Sequence, residues 1–481
     1  MAYRDFRDFI AVSEQQGKLR RIEQAVDRSW APAALAKWVF QALPDDQRFG
    51  LMFDKVEGSE FRLVTGALGA STHTYALGLG VPREEINDHW VTALSNPQVP
   101  RVVKTAVCQE VVREGKDAKL SDLPIPTWTP GKDVGPYITT ITINRHIDTG
   151  VQNMGVYRTM VRDDHSVICN LNPGRQGFAL AQSWLDQGKP APIAWVIATE
   201  PVIHLATVAN MPMGVDEVTV AGGLKGEPID VVKCKTSDIM VPANSEIIIE
   251  GEVLPGEYAD EGPFGEFAGY MGPVAPKPVI RITAITHRKD AIFYGYTSQM
   301  PPSESTVLQS MTNGPLLLKT LRHDLGDTSV EDVHIDLTFG GLLAHAVIAM
   351  SPRHPGHAKK VGRLVADMSP IKRVTIVDAD IDIRDPLHVE WAMNAHYNPA
   401  RDTDIIKDVF FPMGMDPSVR VDNQMSDMGS KIVIDATQTI DAGEISLPPK
   451  EIMMKALDLW KEVGLPDFEI PKRARNRIDS A

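Results

Sequence analysis

Cysteine is nearly missing from this chain. Only Cys108, Cys169 and Cys234 occur in 481 residues, and no two form a C-x-x-C pair. That pattern excludes a disulfide framework and a structural zinc site, and it fits a reducing compartment. Long apolar runs are missing too. The longest lies near Leu342–Met350, well short of the ~20 residues that span a bilayer. Positive charge is in deficit, with 49 Lys and Arg against 63 Asp and Glu, a formal net charge of −14. A nucleic-acid or anionic-membrane partner is therefore disfavoured. The basic stretch Lys472, Arg473, Arg475 and Arg477 reads as a solvated end. The opening Met1–Phe9 is charged too early for a secretory signal, so cytoplasmic residence is expected. No internal repeat or low-complexity segment is visible. A dinucleotide fingerprint is absent: Leu77–Pro82 holds a lone G-x-G without the third glycine, and it reads as a loop.

What is present is an ordinary globular composition, 43% hydrophobic and 23% charged, long enough for two or three domains. The first third reads as a small α/β unit. Helices are expected from Phe6 to Gly17 and from Ala31 to Leu43, with a buried strand at Leu51–Phe53. Pro124, Pro126, Pro130 and Pro136 then crowd into a domain-entry segment. Beyond it the pattern turns to strands, at Ile138–Ile143, Ala194–Ala198, Glu246–Glu250, Val279–Thr286 and Ile292–Tyr296, interrupted by a helix at Phe178–Leu185. Short strands with Gly and Pro turns predict a barrel or sandwich. After about Leu308 strands and helices alternate: helix Leu316–Leu321, strands Val333–Leu337 and Leu342–Met350, helix His357–Met368, strand Val374–Val377. That is a further α/β unit.

Chemistry concentrates in Glu261-Gly262-Pro263-Phe264-Gly265-Glu266. Proline and two glycines exclude regular helix and make a stiff turn that aims two carboxylates. If both acids face one pocket, repulsion favours a protonated form of one near neutral pH, which suits a general acid. Three other clusters stand out: Asn153–Arg158, Asn172–Gly177, and Met211–Gly214 with Glu217. Their Asn, Gln and Glu oxygens suit a hard divalent cation rather than zinc, and Arg158 can grip a carboxylate with two parallel hydrogen bonds. His354 and His357 read as an exposed helix start without a partner acid, and Cys234 as a buried structural thiol.

The order and spacing of these clusters resemble the UbiD family of reversible decarboxylases that use prenylated flavin mononucleotide. The matching segments are Asn153–Arg158, Met211-Pro212 with Glu217, Val241–Ala243 with Ser245-Glu246, and Glu261–Glu266; Asp378–Asp382 with Trp391-Ala392 also fits. The resemblance implies an α/β plus β fold. It has an N-terminal α/β domain (1–120), a split β-barrel that binds the flavin (121–310), and a C-terminal α/β domain that supports oligomerisation (311–481), as a dimer or hexamer. It implies that Arg158, Glu261 and Glu266 are the catalytic network, with Glu266 the proton donor. Asn153, Gln176 and Glu217 are implied as ligands of Mn²⁺ or Mg²⁺, and Asn153, Val156, Tyr157, Arg158, Arg175, Gln176, Met211 and Glu217 as cofactor contacts. Potassium is implied at the carbonyls of Val208, Ala209 and Met211. Several family members carry a metal-binding His where this chain has Gln176, which implies a weaker ligand here. A basic cofactor contact of some members falls on Ser369.

The implied activity is that of a carboxy-lyase acting on an aromatic, heteroaromatic or α,β-unsaturated acid, with CO₂ released and a flavin prenyltransferase supplying the cofactor. An ordinary-flavin oxidoreductase and a non-catalytic subunit of a carboxylase complex are the alternatives. Retained Arg158, Glu261 and Glu266 argue against the second, and no nicotinamide fingerprint supports the first. By the same resemblance Gln309, Phe411 and Met413 line the substrate pocket. With Arg175, the polar Gln309 points to a substrate bearing a second polar group.

Overall fold

Phe6, Phe9 and Ile10 share the buried face of α1 (Phe6–Gln15), which Asp5 caps by accepting from Asp8 N and which Gly17, φ 66°, ends. The computed structural model describes residues 3–480 apart from 213, 339–344, 411–417, 419, 422–423, 426–427 and 441–442. The chain divides into two compact units, Met1–Leu316 with Leu337–Gly341, and Leu317–Asp336 with Leu342–Ala481.

In the first unit β1 (Leu19–Val26), α2 (Ala31–Ala42), β2 (Gly50–Val56) and β3 (Arg62–Thr65) follow α1. β1 pairs parallel with β2, and β2 antiparallel with β3. Next, α3 (Thr72–Leu79) starts on a Ser71/Thr74 capping box and ends at Gly80, φ 79°. The segment read as a loop is thus the last turn of a helix and its glycine cap. Position 78 takes a glycine within the helix because a Cβ there would lie 2.4 Å from Leu68 Cδ2. α4 (Ile86–Ser95) closes this layer.

Short strands β4 (Arg101–Val102) and β5 (Val111–Glu114) lead into the large sheet. It takes in β6 (Tyr137–Ile138), β7 (Ile141–Arg145), β8 (Gln152–Val156), β9 (Thr159–Asp163) and β10 (Ser166–Cys169). After α5 (Gln176–Leu185) come β11 (Ala191–Ile197), α6 (Pro201–Thr207), α7 (Glu217–Lys225), β12 (Asp230–Lys233), β13 (Met240–Pro242) and β14 (Ile247–Glu261). A hairpin of β15 (Phe264–Gly265) and β16 (Met271–Gly272) precedes β17 (Ala275–His287) and β18 (Ile292–Tyr294). The strand order is β6-β9-β10-β17-β14-β11-β7-β8, with β5 also on β17. Register shifts between Glu250 and Gly251 and between Val253 and Tyr258 bend the long β14–β17 ribbon, and the sheet curls into a half-barrel. β18 leaves that sheet and pairs parallel with β3.

The helix read from Leu316 starts earlier, as α8 (Glu304–Lys319). The second unit holds β19 (Val330–Ile335), β20 (His345–Met350), α9 (His357–Met368), β21 (Arg373–Asp378) and α10 (Pro386–Ala395), with strands Thr403–Phe410 and Met428–Ala436. β20, β21 and Met428–Ala436 run parallel, and β19 and Thr403–Phe410 flank them antiparallel. Residues 342–344 of the expected strand lie outside the described residues. Two expectations are corrected here. His357 is buried, and its Nε2 meets Asp327 Oδ2 at 2.9 Å, so it has the partner acid that the sequence hid. The basic end is a helix, Lys472–Asp479, docked on α10: Arg473 donates to Asp385 at 2.7 Å, and Arg477 stacks 4.7 Å over Trp391. All three cysteines are buried and free. Among the described residues, no helix is long and apolar enough to cross a membrane.

Candidate active site

The turn that ends β14 admits few alternatives. Gly262 has φ 102°, and a Cβ there would lie 2.9 Å from the Pro273 carbonyl, so only glycine fits. The Gly262–Pro263 bond is cis. Phe264 and Gly265 then pair with Gly272 and Met271, and Glu266 N donates to Tyr270 O at 2.8 Å. Behind the turn, Asp133 accepts from Gly265 N at 3.0 Å and from Thr129 N at 2.6 Å. Gln299 packs against Gly265, where a Cβ would come within 2.7 Å of Gln299 Cγ. Lys37 of α2 holds this glutamine, donating to Gln299 Oε1 at 2.7 Å and to Ser298 O at 3.0 Å. Burial pushes the Lys37 amine down to about 7, against the pull of Asp133.

Both carboxylates of the turn converge on Arg158. Its Nε and Nη2 donate to the two Glu261 oxygens at 2.9 and 2.7 Å, and Nη1 pairs with Glu266 Oε1. The guanidinium lies 5.4 Å from the Phe264 ring, and Tyr137 packs 4.3 Å from the same ring. Burial, then the charge of Glu261, pushes the Tyr137 phenol up. The Glu261 side chain is fully buried, whereas that of Glu266 is 22% exposed. Arg158 thus uses two donors to fix the buried acid and presents the third nitrogen to the acid a ligand can reach. A guanidinium between two carboxylates offsets the repulsion a bare pair would suffer. Gly272 leaves room for this: a Cβ would stand 2.8 Å from Glu266 Oε1 and 3.3 Å from Arg158 Nη1. Lys277, on β17, donates to Asn172. Burial lowers its pKa, while the charge of Glu261 pulls the other way.

The oxygen donors gather farther along the sheet. Asn153, on β8, is buried, and its Nδ2 makes no hydrogen bond of ordinary geometry among the described residues. Glu217 opens α7, where Asp216 caps the helix, and its Oε2 accepts from Met154 N at 2.9 Å. Burial pushes Glu217 up to about 7, and no Lys, Arg or His pairs with it among the described residues. Gln176 opens α5 and donates Nε2 to the Met211 carbonyl at 2.8 Å, which turns its Oε1 to the other side as an oxygen that could ligate a cation. Tyr157 OH accepts from Gly177 N at 3.0 Å. A buried carboxylate without a counter-charge, beside amides with unmet atoms, fits a hard cation held by oxygen. No group of three or more His, Cys, Asp or Glu that could hold a metal ion occurs among the described residues, so a cation here would depend on amide oxygens as well.

The structure therefore brings Arg158, Glu261 and Glu266 together, places Glu217 on the residue next to Asn153, and ties Gln176 to Met211. Val156 is partly exposed at the end of β8, and Arg175 is exposed just before α5. Gln309 is half-buried on α8. Phe411, Met413 and Met213 lie outside the described residues. Sequence reading missed Lys37, Asp133, Lys277 and Asn144, a fully buried asparagine of β7. None belongs to a motif. Each matters through a partner distant in sequence or across the sheet.

Three family models cover most of the chain. They are the N-terminal domain (residues 10–94), the Rift-related domain (101–301) and the C-terminal domain (306–436) of 3-octaprenyl-4-hydroxybenzoate carboxy-lyase, UbiD. Among solved structures, the UbiD-class enzyme HmfF from Pelotomaculum thermopropionicum, in complex with prFMN, is 34% identical. The match covers 93% of this chain and 97% of that one, with a TM-score of 0.81. The vanillic acid decarboxylase of Sedimentibacter hydroxybenzoicus in closed form is 28% identical over 96% of this chain and 100% of its own, with a TM-score of 0.84. An uncharacterised protein of Synechocystis sp. is 29% identical over 97% of both chains. The chain belongs to the UbiD family of carboxy-lyases.

Proposed function

We propose that this protein is a non-oxidative, reversible decarboxylase of an aromatic, heteroaromatic or α,β-unsaturated acid, working with prenylated FMN and with Glu266 as proton donor. The observation that carries the reading is the Arg158 fork, which locks buried Glu261 and leaves Glu266 reachable beside one nitrogen. Solved relatives support it: HmfF is described with prFMN, and a second relative is a vanillic acid decarboxylase. Loss of CO₂ from such an acid leaves a carbanion, and the prenylated flavin, when bound, supplies the electron sink. The chain's own residues handle the proton. Protonated Glu266 gives its proton to the carbon that lost CO₂ and regains one from solvent, which its partial exposure allows. Arg158, fixed by Glu261, sets the charge and direction of Glu266.

Asn153, Gln176 and Glu217 hold Mn²⁺ or Mg²⁺, and Val156, Tyr157, Arg158, Arg175 and Met211 serve the cofactor. The carbonyls of Val208, Ala209 and Met211 already accept from Asn313 Nδ2, Met211 N and Gln176 Nε2. Each keeps a second lone pair for potassium. In this reading residues 1–120, 121–310 and 311–481 are the three domains, and the protein is a cytoplasmic homo-oligomer supplied by a flavin prenyltransferase. Gln309 selects a substrate with a second polar group. The test is CO₂ release across a panel of aromatic acids by protein co-produced with a flavin prenyltransferase. Release from at least one polar-substituted acid is expected, and none without the prenyltransferase. Protein that carries prenylated flavin and decarboxylates no acid of the panel would refute the reading.

A further inference from the structure

Asn144 is a buried group that the proposed chemistry leaves unused. It sits in β7 at 0% exposure, and neither its Oδ1 nor its Nδ2 has a hydrogen-bond partner among the described residues. Buried side-chain amides with both ends unmet are rare, because desolvation then goes uncompensated. In the β7–β8 ladder Asn144 stands directly opposite Asn153, so the two side chains share one face of the sheet. The first turn of α5 closes over this face: a Cβ on Gly177 would lie 2.9 Å from Asn144 Oδ1 and 2.8 Å from Tyr157 OH. Glycine at 177 leaves open the space between them. Glu217 reaches the same strand one residue past Asn153, at Met154 N.

We infer that Asn144 is a further oxygen donor to the divalent cation. The donor set is then the amide oxygens of Asn144, Asn153 and Gln176 with the carboxylate of Glu217, a set with a single negative charge. Such a set favours Mn²⁺ or Mg²⁺ over softer ions. The inference rests on the cation site of the proposed function, but not on the substrate or the chemistry.

The experiment uses full-length protein stripped with chelator, then titrated with Mn²⁺ and followed by the electron paramagnetic resonance of free ion and by melting temperature. Asn144→Leu should weaken Mn²⁺ binding roughly 10–100-fold, the range seen when groups supporting a metal are lost. Without metal it should melt at or above the parent temperature, because an unmet amide is replaced by an apolar group of similar size. Its gain in melting temperature on adding Mn²⁺ should shrink. Asn144→Asp should bind Mn²⁺ at least as tightly as the parent. A packing role predicts the reverse: a lower metal-free melting temperature with unchanged Mn²⁺ affinity, and that result overturns the inference. If Asn144→Leu binds normally while Glu217→Ala does not, the cation site stands and Asn144 is excluded from it. If the parent itself binds no Mn²⁺, both readings fall together.

Discussion

Arg158 is held by Glu261 and meets Glu266 with a single nitrogen, so the role proposed for Glu266 depends on where one oxygen sits. Gly272 bounds that position. Gly272→Ala requires no forbidden backbone conformation, yet its methyl would stand 2.8 Å from Glu266 Oε1. Because the carboxylate is the far end of a flexible chain, it moves and the fold does not. The expected outcome is a melting temperature near that of the parent with kcat reduced about 10²-fold, as a 1 Å misplacement of a reacting group can cause. Glu266→Gln, which removes the acid outright, should lose about 10²–10⁴-fold in kcat while keeping bound flavin. If Gly272→Ala kept full activity, the Arg158–Glu266 contact would not matter to turnover. At this scale the sequence was most legible where stiffness is written locally. Glu261, Gly262, Pro263 and Glu266 are one contiguous motif, so two aimed acids could be read from it. Asp133, Lys37 and Asn144 are ordinary residues until the sheet register and α2 bring them to the turn or to the proposed cation site.

Helix positions followed from periodicity where an element has one apolar face, as α1, α2 and α9 do, and β21, buried on both faces, was legible as a short β-branched run. The reading failed where small residues serve packing rather than turning. Gly78 looked like a loop residue, but it lets α3 approach Leu68. α8 was cut short because Pro315 lies inside it. Gly362, within α9, is a second such glycine. Its Cβ position is 2.4 Å from Val433 Cγ1 on strand Met428–Ala436 and 3.5 Å from Ile376 Cγ1. Gly362→Ala adds helix propensity of about 1 kcal/mol, but overpacking a core costs about 1–3 kcal/mol. Val433 is fully buried and β-branched, so it cannot swing aside, and the clash wins. The expected result is a melting transition lowered by a few degrees. A raised transition would mean that α9 does not lie this close to the sheet.

For the whole molecule, composition foretold an α/β start, a strand-rich middle and an α/β end, because each region has its own periodicity; the barrel in the middle was implied by the family resemblance. The return of β18 to the first sheet was not legible, since parallel pairing with β3 leaves no local signature. The titrating groups of the two units are also unlike, and this yields a prediction. In the second unit burial, then the charge of Arg384, pushes His334 down to about 4, and burial, then Arg373, pushes His345 down to about 3. His388 is lowered as well, and His396, raised by its bond to Asp378, opposes them. A histidine with a lowered folded pKa takes up its proton first in the unfolded chain. It therefore removes stability as the pH falls from about 6.5 towards its folded value. The first unit has His204, pushed down to about 3 by burial, and His73 and His287, lowered mainly by burial, but also Glu200, Glu217, Glu304, Asp133 and Asp216, all raised by burial. Those acids bind protons first in the folded state and add stability over the lower part of the same range. Acid should accordingly open the second unit before the first. Limited proteolysis in rising urea, at about pH 7 and about pH 5, reads this directly. Less urea should be needed at the lower pH to expose cut sites within residues 342–480, with a smaller change for sites before 316. Sites before 316 opening first in acid would show that the buried histidines of the second unit do not govern its acid stability.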